Sequence, residues 1–313
     1  MSEISVFVPS YNHAPFVERS LRSIFAQTVP LKKLIVIDDG SKDESAEIIS
    51  RVLRDCPFES EFIARENRGL CATLNEGFAK TSGDYFAYLG SDDIWLPGFL
   101  AENIGLLESR KDAVLSFGHA FVIDKDDNIF DRTDNWTKFA DGDMLPSLLR
   151  GEIFSSPGVV YRSKALAKYR WNEDALLEDY EMYLNLTTEG DFARSDKILC
   201  AWRQHEWNTS SDYVRIFPEF IKAQNRLSGR LKITREELDK IQTELRFNAV
   251  PNFIRGGNRR EALSLLLQNR RGAKSSAQFA KMLFRLAVPQ TLFQWNRKRK
   301  RRAAIEKYGK LKL

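Results

Sequence analysis

Short apolar runs alternate with segments of helical spacing from residue 3 to residue 89. The runs at 3–9, 34–37, 62–64 and 84–89 are rich in apolar residues, as expected of strands that are buried on both faces. Between them, the segment at 15–27 has the spacing of a helix, and so does the segment that follows Asn67-Arg68-Gly69 and ends at residue 80. Ser41 and Glu44 have the spacing of a capping box and predict that the second helix begins there. The order β-α-β-α-β-α-β predicts a doubly wound, mostly parallel α/β sheet with right-handed crossovers.

The pattern becomes less regular after residue 97. We expect a helix at 99–109, a strand at 113–123, a hairpin turn at 126–128, a helix at 178–188 and a strand that ends at residue 202. From residue 213 onward the apolar spacing indicates helices alone. The chain is therefore expected to have an α/β domain at 1–212 and a helical region at 213–313.

The composition indicates a globular protein with a large core, because 43% of its 313 residues are hydrophobic. It contains no apolar run of about eighteen residues, and its first residues lack the layout of a secretory signal. Its three cysteines, Cys56, Cys71 and Cys200, fit neither a disulfide framework nor a zinc site. A cytoplasmic location is the simplest interpretation.

The charge is distributed unevenly along the chain. Residues 251–313 carry 17 Lys and Arg against two acidic residues, a net charge of +15, which leaves −10 for residues 1–250. A basic segment favours an anionic partner, either a membrane surface or nucleic acid. The run Arg297–Arg302 follows Phe293 and Trp295, and aromatic residues beside basic ones favour anionic lipid. A solvated terminus is the alternative, and the acidic body argues against nucleic acid.

Two pairs of acidic residues follow predicted strands. Asp38-Asp39 ends the second strand and Asp92-Asp93 follows the fourth, where open α/β sheets bind ligands. A carboxylate of the first pair can accept the imide N–H of a uracil or thymine ring, although an Asx-turn is the alternative. The second pair suits Mg²⁺ or Mn²⁺ held together with substrate phosphates, although a capped turn is the alternative.

Two further segments have candidate chemistry. Glu178 and Asp179 open a predicted helix, where an acid can complement the helix dipole or act as a general base. His205 lies in the segment 202–210 and can bind a metal or a phosphate oxygen, although a lone histidine is commonly structural.

Taken together, the motifs resemble the inverting nucleotide-sugar glycosyltransferases of family two, which have the GT-A fold. The resemblance covers residues 3–210 and rests on six segments in the family's order: Pro9-Ser10-Tyr11-Asn12, Asp38-Asp39-Gly40-Ser41, Asn67-Arg68-Gly69, Gly83-Asp84-Tyr85 leading into Ser91-Asp92-Asp93, Glu178-Asp179-Tyr180, and Arg203-x-His205-x-x-Asn208-x-Ser210. It implies a Rossmann-like catalytic domain with a C-terminal helical extension.

The resemblance also implies roles for single residues. The nucleotide would be bound by Pro9, Tyr11 (stacked on the base), Asp39 (accepting its N–H), Asp38 (supporting the turn), Arg68 and Asp92. Mn²⁺ or Mg²⁺ would be held by Asp93 as the direct ligand, with Asp92 and His205. Asp179 would be the catalytic base, and Glu178 would orient it or contact the donor sugar.

Two departures from the family pattern affect these expectations. Many relatives carry aspartate where this chain has Gly90, so the metal site would rest on Asp92 and Asp93. The Gln-x-x-Arg-Trp signature of processive synthases is missing, which favours transfer of one or a few sugars. The expected donor is a UDP- or dTDP-sugar. The expected acceptor is a glycan or a polyprenyl diphosphate-linked sugar at the cytoplasmic face of a membrane, as in bacterial surface polysaccharide or lipopolysaccharide assembly.

Other classes remain as alternatives. A sugar nucleotidyltransferase would carry a Gly-rich basic loop where this chain has Pro9-Ser10-Tyr11-Asn12, and a dinucleotide oxidoreductase would need Gly-x-Gly-x-x-Gly there. A non-catalytic nucleotide-sugar-binding or scaffold protein with the same fold is the third alternative, and the acidic and histidine motifs argue against it.

Overall fold

The computed structural model describes residues 2–136, 138–206 and 212–312. Its strands are β1 (Ile4–Ser10), β2 (Lys33–Asp38), β3 (Ser60–Ala64), β4 (Tyr85–Tyr88), β5 (Ile94–Trp95), β6 (Ala113–Ile123), β7 (Ile129–Arg132), β8 (Val159–Arg162) and β9 (Asp191–Arg203). Its helices are α1 (Val17–Phe25), α2 (Ser45–Val52), α3 (Leu70–Ala79), α4 (Phe99–Ser109), α5 (Leu145–Leu149), α6 (Ser163–Leu166), α7 (Glu178–Leu186), α8 (Tyr213–Leu227), α9 (Arg235–Arg255), α10 (Arg259–Gln268), α11 (Ser276–Ala287) and α12 (Gln290–Tyr308).

The strands form one sheet in the order β3-β2-β1-β4-β8-β6-β9-β5, with β7 beside β6. The first four strands pair in parallel, which confirms the predicted doubly wound unit. Beyond β4 the sheet is mixed: β8 is antiparallel to both β4 and β6, while β6 and β9 are parallel. The carboxyl ends of β1, β2 and β4 therefore meet at one edge.

Helices cover both faces of the sheet, so the alternate side chains of a strand enter two different cores. Val6 and Val36 pack in the core that contains Leu21 of α1. Phe7 and Ile35 pack in the other core, with Leu74 of α3 and the C-terminal helices. Burial on both faces explains why β1, β2 and β4 appear in the sequence as nearly continuous apolar runs.

The predicted start of the second helix is wrong. α2 begins at Ser45, with Glu44 as its N-cap, and the Ser41 hydroxyl instead donates a hydrogen bond to Asp38 Oδ1. A capping box does form at Thr234 and Glu237, where α9 begins. The spacing alone could not identify the cap, because the same side chains also stabilise turns.

The basic run Arg297–Arg302 lies within α12. After this helix the chain returns to the β6–β7 hairpin, where the Leu311 N–H donates to the Asp127 carbonyl at 2.9 Å. Leu311 packs with Ile123 and Ile129, so the C-terminal segment is attached to the α/β domain. Within the described ranges, no helix has both the length and the apolar content needed to cross a bilayer.

Candidate active site

Two adjoining cavities lie at the edge where β1, β2 and β4 end. The first has a volume of about 860 Å³ and is lined by the segments that follow these three strands. The second has a volume of about 1030 Å³ and extends between the α/β domain and helices α8 and α9. Gly69 and Leu70 line both cavities, so the two spaces share a wall.

The first cavity contains Pro9, Tyr11 and Asp39, three of the residues predicted to bind the nucleotide. The Tyr11 side chain is 46% exposed, which leaves its ring available to a ligand. Asp38 is buried and is not part of the cavity lining; it accepts the Ser41 N–H at 3.0 Å and the Ser41 hydroxyl. Asp38 thus supports the turn, as the resemblance allowed.

The Asp39 carboxylate holds the turn that precedes α3. Its Oδ1 accepts the Arg68 N–H at 2.9 Å and pairs with Arg65, and its Oδ2 accepts the Gly69 N–H at 2.9 Å. A carboxylate oxygen has two acceptor positions, so Oδ2 can accept a further N–H from a ligand. Gly40 makes the approach of the two segments possible, because a Cβ there would lie 2.6 Å from the Asn67 nitrogen. The sequence reasoning did not identify Arg65, which has no motif of its own.

Three possible metal ligands meet in the first cavity. The ligand atoms of His13, Asp92 and His205 all lie within 4.8 Å of one another. Asp92 Oδ2 is 3.1 Å from His205 Nε2, and Asp92 Oδ1 is 3.8 Å from His13 Nδ1. Burial alone would raise the pKa of Asp92, but the hydrogen bond to His205 and the proximity of His13 outweigh burial and lower it. Two imidazoles and one carboxylate form a donor set that suits a divalent transition-metal ion better than Mg²⁺.

His13 was not predicted, and its signal in the sequence was weak. It is one of three histidines, and it directly follows the Pro9–Asn12 segment. Its Nδ1 also lies 2.8 Å from Ser91 Oγ, so it contacts the loop that carries Asp92. Asn208 and Ser210, which belong to the motif that contains His205, lie outside the described residues.

Asp93, predicted as the direct metal ligand, has a different environment. It is buried, and its Oδ1 accepts the Arg203 backbone N–H at 2.8 Å. Burial and the adjacent charge of Asp92 raise its pKa well above the usual value. Among the described residues, the group of three ligands does not include Asp93. A Cβ at Gly90 would lie 2.9 Å from Asp92 Oδ1, so the glycine leaves room for the present orientation of the Asp92 side chain.

Arg203 connects the Asp92–Asp93 loop to the β6–β7 hairpin, and the sequence reasoning gave it no role. Its side chain is 2% exposed. Its Nε donates to the Asp92 carbonyl at 2.7 Å, and its Nη1 donates to the Asp124 carbonyl at 2.8 Å. Its Nη2 forms an ion pair with Asp127 Oδ1 at 2.7 Å. Its guanidinium also lies 4.8 Å from the centre of the Phe16 ring, which stacks on His205.

The second cavity contains the predicted catalytic acids, Glu178 and Asp179, at the start of α7. Burial raises the pKa of Asp179 to about 6, even though its Oδ1 accepts the Tyr180 N–H at 2.8 Å. Burial together with the charge of Asp179 raises the pKa of Glu178 to about 8. Because burial and the adjacent charge disfavour double ionisation, the pair favours a single shared proton near neutral pH.

Six aromatic residues contribute to the wall of the second cavity: Trp136, Phe139, Phe154, Trp202, Tyr213 and Phe220. Trp136 and Trp202 meet edge to face with ring centres 6.0 Å apart, and the Trp136 side chain is 47% exposed. Arg68, predicted near the nucleotide, lines this cavity rather than the first, and its guanidinium pairs with Glu76. Arg255 of α9 also contributes to the wall. A space with aromatic walls, carboxylates and two guanidinium groups suits a polar ligand that has apolar faces, such as a sugar.

The doubly wound sheet, with cavities at the ends of its parallel strands, has the architecture of the GT-A fold. The model of "Glycosyl transferase family 2" matches residues 5–170, and the chain belongs to this family. The chain is 29% identical to an uncharacterised glycosyltransferase of Nostoc sp. over 170 residues, which cover 53% of this chain and 52% of that protein. It therefore spans about half the length of this relative.

Two other comparisons extend further along the chain. The GalNAc(5)-diNAcBac-PP-undecaprenol beta-1,3-glucosyltransferase of Campylobacter jejuni is 23% identical over 250 residues, which cover 76% of this chain and 78% of that protein. The structure of a mannosyltransferase from Pyrobaculum calidifontis in complex with GDP-Man and Mn²⁺ aligns with a TM-score of 0.64. That alignment covers 98% of this chain and 87% of the other at 16% identity, so it supports the fold.

Proposed function

We propose that this protein is an inverting, metal-dependent glycosyltransferase that moves a sugar from a nucleotide-sugar donor to a hydroxyl of a glycan or lipid-linked acceptor. The observation that carries the proposal is the pair of adjoining cavities. The first has an exposed tyrosine, a carboxylate at a strand end and a three-ligand group, and the second has the two acids with raised pKa values. Donor and acceptor would thus meet at the shared wall, Gly69 and Leu70.

The nucleotide half of the donor would occupy the first cavity. Tyr11 would stack on the base, and Asp39 Oδ2 would accept its N–H. A UDP- or dTDP-sugar fits this role, because uracil and thymine each carry one imide N–H beside two carbonyls. The Pyrobaculum structure contains GDP-Man, so a guanine nucleotide belongs in the same test.

His13, Asp92 and His205 would hold Mn²⁺ or Mg²⁺, and of these two ions the two imidazoles favour Mn²⁺, because Mg²⁺ prefers oxygen ligands. When bound, such a cation neutralises the charge that develops on a leaving diphosphate. The protein's own part is to orient the ligands: Arg203 fixes the Asp92 carbonyl, and Phe16 stacks on His205.

Asp179 would act as the general base. It accepts the proton of the acceptor hydroxyl while the hydroxyl oxygen forms a bond to the anomeric carbon of the donor sugar. The bond from that carbon to the nucleoside diphosphate breaks in the same displacement, so the configuration inverts. When the shared proton is on Glu178, its carboxyl can donate a hydrogen bond to a sugar oxygen. Positioning and electrostatics then supply most of the catalysis.

We also propose how the chain divides into two units and which partners they bind. Residues 1–212 would form the catalytic domain and residues 213–313 a helical region that binds an anionic membrane surface at its cytoplasmic face. The Campylobacter relative is named as a glucosyltransferase that acts on an undecaprenol diphosphate-linked glycan. A polyprenyl diphosphate-linked acceptor is the corresponding proposal for this chain.

Thermal unfolding with UDP, GDP and dTDP, each with and without Mn²⁺, tests the donor site. We expect one nucleotide to raise the melting temperature in an Mn²⁺-dependent manner, and His205→Ala to remove the Mn²⁺ dependence. Asp179→Asn should keep the nucleotide effect and lose hydrolysis or transfer of the matching sugar. Full turnover by Asp179→Asn would contradict the base assignment. No stabilisation by any of the three nucleotides would favour a non-catalytic scaffold.

A further inference from the structure

Large exposed apolar side chains are concentrated in the C-terminal helices. Among the described residues there are nine of these side chains, and three of them, Tyr11, Leu70 and Trp136, line the two cavities. The other six all lie in α10, α11 and α12: Leu263, Leu267, Leu283, Phe284, Leu292 and Trp295. Phe284 is 73% exposed and Trp295 is 60% exposed. The cavities account for the first three side chains, but the α/β domain covers none of the six.

Positions along α10 and α12 bring four of these side chains together in pairs. Leu263 and Leu267 are four residues apart on α10, and Leu292 and Trp295 are three apart on α12, so each pair shares a helix face. The Arg259 guanidinium donates to the carbonyls of Leu286 and Val288, which fixes the end of α11 to the start of α10.

The start of α12 is fixed as well. The Gln290 side chain donates to the Arg255 carbonyl at 2.7 Å, and Arg255 lines the second cavity. The three helices are thus attached to one another and to α9 at Arg255, a residue of the proposed acceptor site. A surface formed by these helices would lie near the cavity that the acceptor must enter.

The charge of the same helices is strongly positive and largely uncompensated. Residues 251–313 carry a net charge of +15. In α10 to α12, as far as the structure describes their side chains, Arg301 is the basic residue that forms an ion pair, with Asp124 at 3.0 Å. Arg297 and Lys298 are exposed, and so are Lys274, which precedes α11, and Lys281, which lies in α11. Arg299 lies over the ring of Trp295 at 5.0 Å.

The combination of charge and apolar side chains decides between possible partners. Nucleic acid would neutralise the arginines but would leave Leu267, Phe284 and Trp295 without an apolar environment. A second copy of the chain would place one strongly positive surface against another. A bilayer with anionic lipids accommodates both the apolar and the basic side chains, because the apolar side chains enter the acyl boundary while Lys and Arg contact the headgroups.

We propose that the exposed faces of α10, α11 and α12 form a membrane-docking surface for anionic lipid, with Phe284 and Trp295 inserting and Arg297 and Lys298 contacting headgroups. This inference rests on the proposed function only for the purpose of docking, which is to bring the second cavity to a lipid-linked acceptor. Binding to the lipid surface itself does not depend on the reaction.

Vesicle co-sedimentation of the full chain tests the surface, with phosphatidylcholine vesicles that contain or lack phosphatidylglycerol. We expect binding to the anionic vesicles, weakened by salt because surface charges are screened. Arg297→Gln with Lys298→Gln should weaken binding about fivefold per charge. The matched control, Arg54→Gln with Lys164→Gln, removes the same charge from exposed sites of the α/β domain and should leave binding unchanged. Phe284→Ser with Trp295→Ser should reduce the binding that remains at high salt.

Several results would overturn the docking surface. Equal binding to both kinds of vesicle, or equal loss in the control variant, would remove the role of these charges. Tighter binding to duplex DNA or RNA than to anionic vesicles would identify nucleic acid as the partner. Self-association in sedimentation velocity that Phe284→Ser abolishes would identify a second copy. Nucleotide-induced thermal stabilisation, measured on the same variants, separates this inference from the proposed function: vesicle binding without nucleotide binding would retain the surface and reject the enzyme.

Discussion

Replacement of Arg203 by Met tests whether this buried guanidinium holds the cation-binding loop in place. The change removes the hydrogen bonds to the Asp92 and Asp124 carbonyls at 2.7 and 2.8 Å, together with the ion pair to Asp127. Breaking a buried ion pair by removing one partner costs about 3–5 kcal/mol. Asp127 keeps a second partner in Arg19, and its side chain is 18% exposed, so we expect a loss near 3 kcal/mol.

Urea unfolding followed by circular dichroism measures this loss, and isothermal titration with Mn²⁺ measures its effect on the site. We expect Arg203→Met to weaken Mn²⁺ binding about tenfold or more, as found for groups that orient metal ligands. Arg203→Lys should recover only part of both losses, because one ammonium cannot reach three acceptors in the guanidinium geometry. Arg54→Met is the control at an exposed site, where a change within about 0.5 kcal/mol is expected.

Two results would refute this reasoning in different ways. A destabilisation below about 1 kcal/mol would mean that the ion pair and the two carbonyl contacts contribute little net free energy. The expected destabilisation without any change in Mn²⁺ affinity would leave Arg203 with a purely structural role.

Four further predictions concern the base (two of them), the core and the cation group. Transfer should fall about tenfold per pH unit below pH 6, because Asp179 must be ionised and its pKa is about 6; pH-rate profiles with saturating donor check this, and a flat profile down to pH 5 would contradict it. The raised pKa of Asp179 means that the folded state binds the proton of this acid more tightly than the unfolded state does, so the protein loses stability as the pH rises through about 6. Asp179→Asn should therefore be more stable than the parent at pH 8 by about 1–3 kcal/mol. Urea titrations should show that this gain vanishes near pH 4. Gly77→Ala should destabilise the protein by about 1–3 kcal/mol, because the new Cβ would lie 2.5 Å from the Phe7 ring. Gly105→Ala has no neighbour within 4 Å of its Cβ and should stabilise α4 by about 0.5–1 kcal/mol. Chemical denaturation compares the two variants, and equal effects would show that the contact with Phe7 does not determine the stability change. His13→Ala should weaken Mn²⁺ binding in calorimetry while nucleotide binding without metal is retained, and unchanged Mn²⁺ affinity would remove His13 from the ligand group.

The sequence predicted the regular elements well where a single periodicity extends over several turns. The helix at 99–109 and the strand at 113–123 were predicted with the bounds that α4 and β6 have. The antiparallel pairing of β8 was not predictable, because alternation of apolar residues does not encode which strand lies alongside. The cap at Ser41 failed for a related reason: a serine hydroxyl can serve a turn or a helix equally well.

The candidate site divides in the same way. Tyr11, Asp39 and Asp179 follow predicted strands or open a predicted helix, so their location at the site edge could be inferred from the sequence. His13 and Arg203 could not be assigned in this manner. The contact of His13 with Asp92 joins residues far apart in the chain, and the burial of Arg203 depends on tertiary packing around Phe16 and Asp127.

The shared wall of the two cavities has a thermodynamic consequence. The Gly69 N–H donates to Asp39 Oδ2, and the backbone at Gly69 has a left-handed φ of 87°. A base that hydrogen-bonds to Asp39 therefore acts on a residue that also shapes the second cavity. Any coupling of this kind is reciprocal: if the nucleotide tightens acceptor binding by some factor, the acceptor tightens nucleotide binding by the same factor. Coupling through Gly69 would act on the two binding equilibria in addition to any direct contact between the two substrates.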